Sequence, residues 1–179
     1  VVVTGAAGGL GSALSLGFAE HGLRVFVTDL LADRLNQLIA HIRDSVRPTC
    51  GDVDDLVSVD HTLTMNHHAI HAFGPIDAHV HNAGIATNAM RTHEYSVADW
   101  DRLMAINLRG VFLTTRKCLA LMLPGPGSII NISSILGLRG FWPGTPAGSI
   151  SYSTSKAGVI GFTRQVAAEY AKEKIRVNA

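Results

Sequence analysis

Short apolar stretches alternate with helical ones from end to end of this chain, and few architectures accept that pattern. Val1–Thr4 is apolar, and the turn Gly5–Gly11 leads into a helix from about Ser12 to Glu20. His21-Gly22 ends that helix, glycine being the usual left-handed stop. Val25–Thr28 is the second strand. From Asp33 to Arg43, Leu35, Leu38, Ile39 and Ile42 recur at helical spacing. Thr49–Cys50 is a short third strand, followed by a polar, histidine-rich helix from about Asp55 to Ala72. Ile76–Val80 is the fourth strand. Ser96-Val97-Ala98-Asp99 has a capping-box pattern and opens a long helix to about Met122, stopped by Pro124-Gly125-Pro126. Ser128–Ile132 is the fifth strand. A Gly/Pro-rich loop, Gly137–Gly148, leads to a last helix, and Ile175–Ala179 reads as a strand just begun.

Parallel strands joined by helical crossovers account for this order. The expected fold is α/β: one doubly wound parallel sheet, Rossmann-like, in three α/β/α layers over residues 1–179. A 47% hydrophobic, 16% charged composition suits one such domain. The net charge of +1 points to neither nucleic acid nor an acidic membrane surface. No apolar run reaches the length of a membrane span. Cys50 and Cys118 stand in unrelated segments, which suggests free thiols in a reducing compartment, the cytoplasm. Asn131-Ile132-Ser133 matches a glycosylation triplet but lies in an apolar strand pattern, so we read it as chance. Both ends look cut, and a piece of a longer chain is expected.

The glycine turn carries the first functional signal. Between a strand and a helix, glycines let the backbone approach a pyrophosphate while the helix N-terminus offers free N–H groups. Gly5, Gly9 and Gly11 fit one known spacing; Gly5, Gly8 and Gly11 fit another. Asp29 ends the second strand, where a carboxylate can accept hydrogen bonds from the adenosine ribose hydroxyls and repel a 2′-phosphate. Neither Gly8 nor Leu30 supplies a base to hold such a phosphate, so NAD is expected over NADP. The bland alternative for Asp29 is a cap on the Leu30–Arg34 turn.

Tyr152 and Lys156 carry the second. Four residues apart, they share one face of a helix. Lowering a phenol from ~10 to ~7 takes roughly 4 kcal/mol. One cation about 4 Å away contributes on the order of 4 kcal/mol at an effective dielectric of ~20. Desolvation opposes this, so one lysine is marginal and the positive charge of an oxidised nicotinamide would complete the activation. A tyrosine, a hydroxyl donor and a lysine meet the needs of hydride transfer, a proton acceptor and a carbonyl polariser.

Together Thr4–Gly11, Asp29, Asp52-Val53, Asn82-Ala83-Gly84, Asn107, Ser133-Ser134 and Tyr152 with Lys156 resemble the short-chain dehydrogenase/reductase family, in its short single-domain branch. The resemblance resolves the glycine spacing in favour of that branch. It implies that Tyr152 is the general acid/base and that Lys156 binds the nicotinamide ribose and lowers the tyrosine pKa. Ser134 would polarise the substrate oxygen, and Asn107 would hold a water relaying protons to Lys156. It further implies cofactor contacts from Gly5, Gly8, Gly9, Leu10 and Gly11, from Asp52 and Val53 at the adenine, and from Asn82, Ala83 and Gly84 along the cofactor floor. The implied partner is a small alcohol or ketone. The long helix and the Tyr152 helix would pair with their copies in a homodimer or homotetramer.

The sequence departs from the family in three places. His79 and His81 replace apolar or amide residues, which puts the sheet packing there in question. The stretch from Ser134 to Tyr152 is longer than usual and contains Phe141, Trp142, Pro143 and Pro146. The family continues beyond Asn178-Ala179 into a nicotinamide-contacting loop, a last strand and a substrate cover, so the stretch 1–179 alone is expected to turn over poorly. His67, His68 and His71 have metal-like spacing but no following glutamate, and we expect no metal. The expected function is NAD-dependent oxidation of a secondary alcohol or reduction of a ketone. The alternatives are a non-catalytic NAD-binding module and an NADP-dependent 3-oxoacyl carrier-protein reductase.

Overall fold

Strands with both faces covered need apolar side chains at nearly every position. Strand β1 (Val2–Thr4) and strand β2 (Val25–Asp29) are buried throughout, as that rule requires. The computed structural model describes residues 1–42, 46–50, 75–123, 125–140 and 150–179. Among them follow helix α1 (Gly9–Glu20), helix α2 (Ala32–His41), strand β3 (Val46–Cys50) and strand β4 (Ala78–His81). Helix α3 (Val97–Met104) runs through a π turn (Ala105–Arg109) into helix α4 (Gly110–Met122). Strand β5 (Gly127–Asn131), helix α5 (Ile150–Glu169) and strand β6 (Ile175–Asn178) complete the set. The expected helix over 55–72 with its three histidines, the residues Asp52 and Val53, and the aromatic and proline residues of 141–146 lie outside the described residues.

The six strands are all parallel, in the order β3-β2-β1-β4-β5-β6. This is the doubly wound, Rossmann-like arrangement. Its strand order reverses between β1 and β4, which opens a crevice at the carboxyl ends of those strands. Alternate side chains feed two cores. Val3, Val25, Val27 and Val80 pack with Leu35 and Leu38 of α2 and with Leu14 and Phe18 of α1. Val2, Phe26, Ile129 and Val177 face the other way, against Cys118, Leu119 and Met122 of α4 and Val166 of α5. Fully burying one such side chain contributes ~1.5–3 kcal/mol.

His79 and His81 point into the second of these layers. Both rings are buried, with centroids 4.3 Å apart. His81 Nδ1 lies 2.6 Å from Asn131 Oδ1, and Asn131 Nδ2 donates to Thr163 Oγ1 at 2.9 Å. Among the described residues neither nitrogen of His79 nor Nε2 of His81 has a hydrogen-bond partner. Burial pushes both imidazoles toward neutrality: His79 lies well below its ordinary pKa, and His81 falls to about 4. Asn131, the asparagine of the glycosylation triplet, is 1% exposed and held by these bonds.

Two local expectations change. Helix α1 starts at Gly9, not near Ser12, because the N–H of Ser12 already bonds Gly8 O at 2.8 Å; the first helical turn is built from the glycine turn itself. The long helix expected over 97–122 is broken into three by the π turn at 105–109. Ser96 caps its start as expected, accepting the Asp99 N–H at 3.4 Å. The third strand also starts earlier than expected, at Val46. No helix among the described residues is long and apolar enough to cross a membrane.

Candidate active site

The glycine turn lies at the carboxyl end of β1, in the crevice. Gly5 takes φ +64, and a Cβ there would stand 2.7 Å from Ala83 Cα. A Cβ on Gly11 would meet the Gly5 carbonyl oxygen at 2.1 Å. These two glycines are required by the fold itself. The middle pair differs: a Cβ on Gly8 would make only an ordinary contact at 3.5 Å, and one on Gly9 would touch nothing within 4 Å. Gly8 and Gly9 therefore border open space beside the start of α1, where Leu10 is 53% exposed. That helix start has no side-chain cap and no acidic residue in its first turn. Its N–H groups and positive dipole suit a pyrophosphate, and the backbone can approach one closely.

Strand β4 locks the turn in place. Asn82 Nδ2 donates to Thr4 O at 3.1 Å and to Gly5 O at 2.8 Å. Thr4 Oγ1 accepts the N–H groups of Asn82 and Ala83 at 3.2 and 3.1 Å. At the end of β2, Asp29 is 7% exposed, and its carboxylate accepts Ala7 N–H at 2.8 Å and Leu31 N–H at 3.0 Å. The second bond is the expected turn cap; the first ties Asp29 to the glycine turn. Each carboxylate oxygen has two acceptor positions, so capacity remains for ribose hydroxyls.

Lys156 and Tyr152 sit on the first turns of α5. Lys156 is 5% exposed, and its Nζ donates to Ile132 O at 2.6 Å. Burial lowers its pKa from the ordinary lysine value. The Lys156 ammonium stands 5.7 Å from the centre of the Tyr152 ring, within cation–π range. Gly84 adjoins them: a Cβ there would be 3.3 Å from Asn107 Oδ1 and 3.8 Å from Lys156 Nζ. Asn107 is buried in the π turn. Its Oδ1 accepts Ile85 N–H and its Nδ2 donates to Ile85 O, both at 2.8 Å. Asn107 Nδ2 also reaches Ser155 Oγ at 3.4 Å, and Ser155 Oγ donates to Tyr152 O at 2.8 Å.

The two candidate serines divide. Ser133 Oγ donates to the Lys156 carbonyl at 2.9 Å, which fixes β5 to α5. Ser134 Oγ accepts Leu136 N–H at 3.2 Å and caps a 3₁₀ turn, Ile135–Gly137. That turn lies tight on α5, since a Cβ on Gly137 would be 2.7 Å from the Lys156 carbonyl carbon. The structure thus brings Gly84, Asn107, Tyr152 and Lys156 into one neighbourhood, and Gly5, Gly11, Asn82 and Ala83 into another at the adjacent strand end. Sequence reasoning missed Ser155, Thr4 and the Ile85 backbone, which hold these groups in place. The serine within Tyr152-Ser153-Thr154-Ser155-Lys156 was the available clue to Ser155.

The sequence matches the family described as short chain dehydrogenase across residues 1–179. The chain belongs to that family. It is 40% identical over 179 residues to cis-4-hydroxycyclohexanecarboxylate dehydrogenase of Sinomonas cyclohexanicum, covering 99% of this chain and 70% of that one. It is 35% identical to levodione reductase of Leifsonia aquatica, covering 100% and 66% respectively. A crystal structure of an actinorhodin polyketide ketoreductase variant with NADPH superposes with a TM-score of 0.89 at 32% identity, over 99% of this chain and 67% of that one. The chain therefore spans about two thirds of the length of these relatives. As a short-chain dehydrogenase it is an oxidoreductase that works by hydride transfer with a nicotinamide dinucleotide. The open glycine pair, the uncapped helix start and the buried ammonium fit such a cofactor.

Proposed function

We propose that the protein oxidises a secondary alcohol, or reduces the matching ketone, using NAD(H), with Tyr152 as general acid/base. The observation that carries this reading is the buried ammonium of Lys156 beside the Tyr152 ring, at the end of a crevice whose glycine turn is shaped for a pyrophosphate. When bound, the nicotinamide supplies or accepts the hydride. Tyr152 moves the hydroxyl proton. Lys156 favours the phenolate by its charge and donates its remaining N–H groups to ribose hydroxyls. Ser134 polarises the substrate oxygen. Asn107 holds the wall at Ile85 and steadies Ser155; both ends of its amide have protein partners, so a water relay there would use the position more than the side chain. The Asp29 carboxylate, aimed at the glycine turn, supports NAD over NADP.

Relatives named for a hydroxycyclohexanecarboxylate and for levodione support a small cyclic alcohol or ketone as substrate. Met104, Leu108, Phe112 and Phe162 line a groove between the π-turn region and α5, which supports self-association of this face in a homodimer or homotetramer. We place the protein in the cytoplasm on its cysteine usage. The deciding experiment is Tyr152→Phe in the full-length protein. Turnover is expected to fall at least ~100-fold, as for loss of a general acid/base, with NADH binding retained. Unchanged turnover would reject the mechanism.

A further inference from the structure

Ser151 directly precedes Tyr152 at the start of α5 and is 0% exposed. Its Oγ lies 2.6 Å from the phenol oxygen of Tyr95, a residue 56 positions earlier in sequence. Tyr95 in turn is hydrogen-bonded to Thr87 Oγ1. Thr87 follows two residues after Ile85, the residue whose backbone Asn107 holds from both sides. The contacts close into a circuit. From Asn107 they run through Ile85 and Thr87 to Tyr95, then to Ser151 and Tyr152, and return through Ser155 to Asn107. The backbone of Tyr152 is thereby gripped twice: after it by Ser155, which takes its carbonyl, and before it by Ser151, which answers to Tyr95.

We propose that Tyr95 is a positioning residue that sets the reach of Tyr152 through Ser151. This rests on the reading of Tyr152 as the acid/base. A helix start lacks hydrogen-bond partners from within the helix, so its placement depends on side-chain ties of this kind. Reactive geometry is sensitive to displacements of about 1 Å, which can cost ~100-fold in rate. Tyr95 contributes a rigid, half-buried phenol that can donate to one hydroxyl and accept from the other. It therefore couples the loop leaving β4 to the first turn of α5.

The test compares Tyr95→Phe, Ser151→Ala and the double variant in the full-length protein, with Ser151→Thr as the conservative replacement. Tyr95→Phe is expected to lower kcat about tenfold and to shift the pH limb of kcat, while the Kd for NADH stays within about twofold. Ser151→Ala should match it, the double variant should be no worse than either single, and Ser151→Thr should recover at least half of the loss. Near-parental kcat in Tyr95→Phe overturns the proposal. So do losses that multiply in the double variant, or NADH affinity falling in step with kcat. Should Tyr95→Phe fail to fold, Ser151→Ala against Ser151→Thr decides on the same readouts. Tyr152→Phe is measured alongside. If it keeps turnover, the acid/base reading fails; if it is inactive while Tyr95→Phe is unaffected, only the positioning role fails.

Discussion

Lowering the pH from 7.5 to 5 should weaken this fold through the imidazoles of β4. In the folded protein burial drops His81 from 6.5 to about 4, and His79 moves the same way, first by burial and then by the neighbouring His81. An unfolded chain restores both to the ordinary histidine value. Between the folded and unfolded pKa values the unfolded state holds more protons, so stability is full above about 6.5 and is lost as the pH falls toward 4. At 1.36 kcal/mol per unit, His81 alone removes about 2 kcal/mol at pH 5 and about 3 kcal/mol at pH 4. His79 adds to this with the same sign. Typical domains hold only ~5–15 kcal/mol, so the change is large. Urea unfolding followed by circular dichroism at several pH values from 5 to 7.5 measures it, in a range where carboxylates contribute little. In the variant His79→Val/His81→Asn the slope between pH 5 and 6.5 should flatten. The reasoning fails if the parent protein loses less than about 0.5 kcal/mol by pH 5, or if the double variant keeps the parental slope.

Two further perturbations separate the remaining proposals. Asp29→Asn removes the carboxylate charge but keeps an acceptor for the Ala7 or Leu31 N–H, so the Kd ratio of NADP to NAD, read by fluorescence titration, should fall about tenfold or more toward NADP. An unchanged ratio would deny Asp29 its part in cofactor choice. Phe112→Asp places a charge on a groove-lining residue that is 48% exposed, and sedimentation of the full-length protein should show a smaller species with the fold retained. An unaltered species would exclude this face from the assembly.

The strand order and both ends of the crevice were legible because they depend on local signals. Gly5 and Gly11 had to be glycines for steric reasons internal to the turn, and the Ser96 cap is a four-residue pattern. The π turn was not legible. Ala105-Ile106-Asn107-Leu108-Arg109 are ordinary helix residues, and what accompanies the wider turn is the bonding of Asn107 to Ile85, 22 positions away. The Tyr95–Ser151 contact was hidden for the same reason: nothing near either residue marks a partner 56 positions off. His79 and His81 stood out as anomalies in sequence. Their burial side by side depends on sheet register and on which layer β4 turns toward.

One consequence of the π turn reaches past Asn107. Each added residue rotates everything after it by about 100° around a helix axis. The turn therefore acts as an indexing step between α3 and α4. With it, Cys118, Leu119 and Met122 meet the sheet while Phe112 stays outside on the groove. Restoring an unbroken α-helix by deleting one residue would swing α4 by more than a quarter of a revolution, carrying apolar side chains off the sheet and the groove wall toward it. The same local widening thus fixes two surfaces at once, and neither can be re-cut without turning the other.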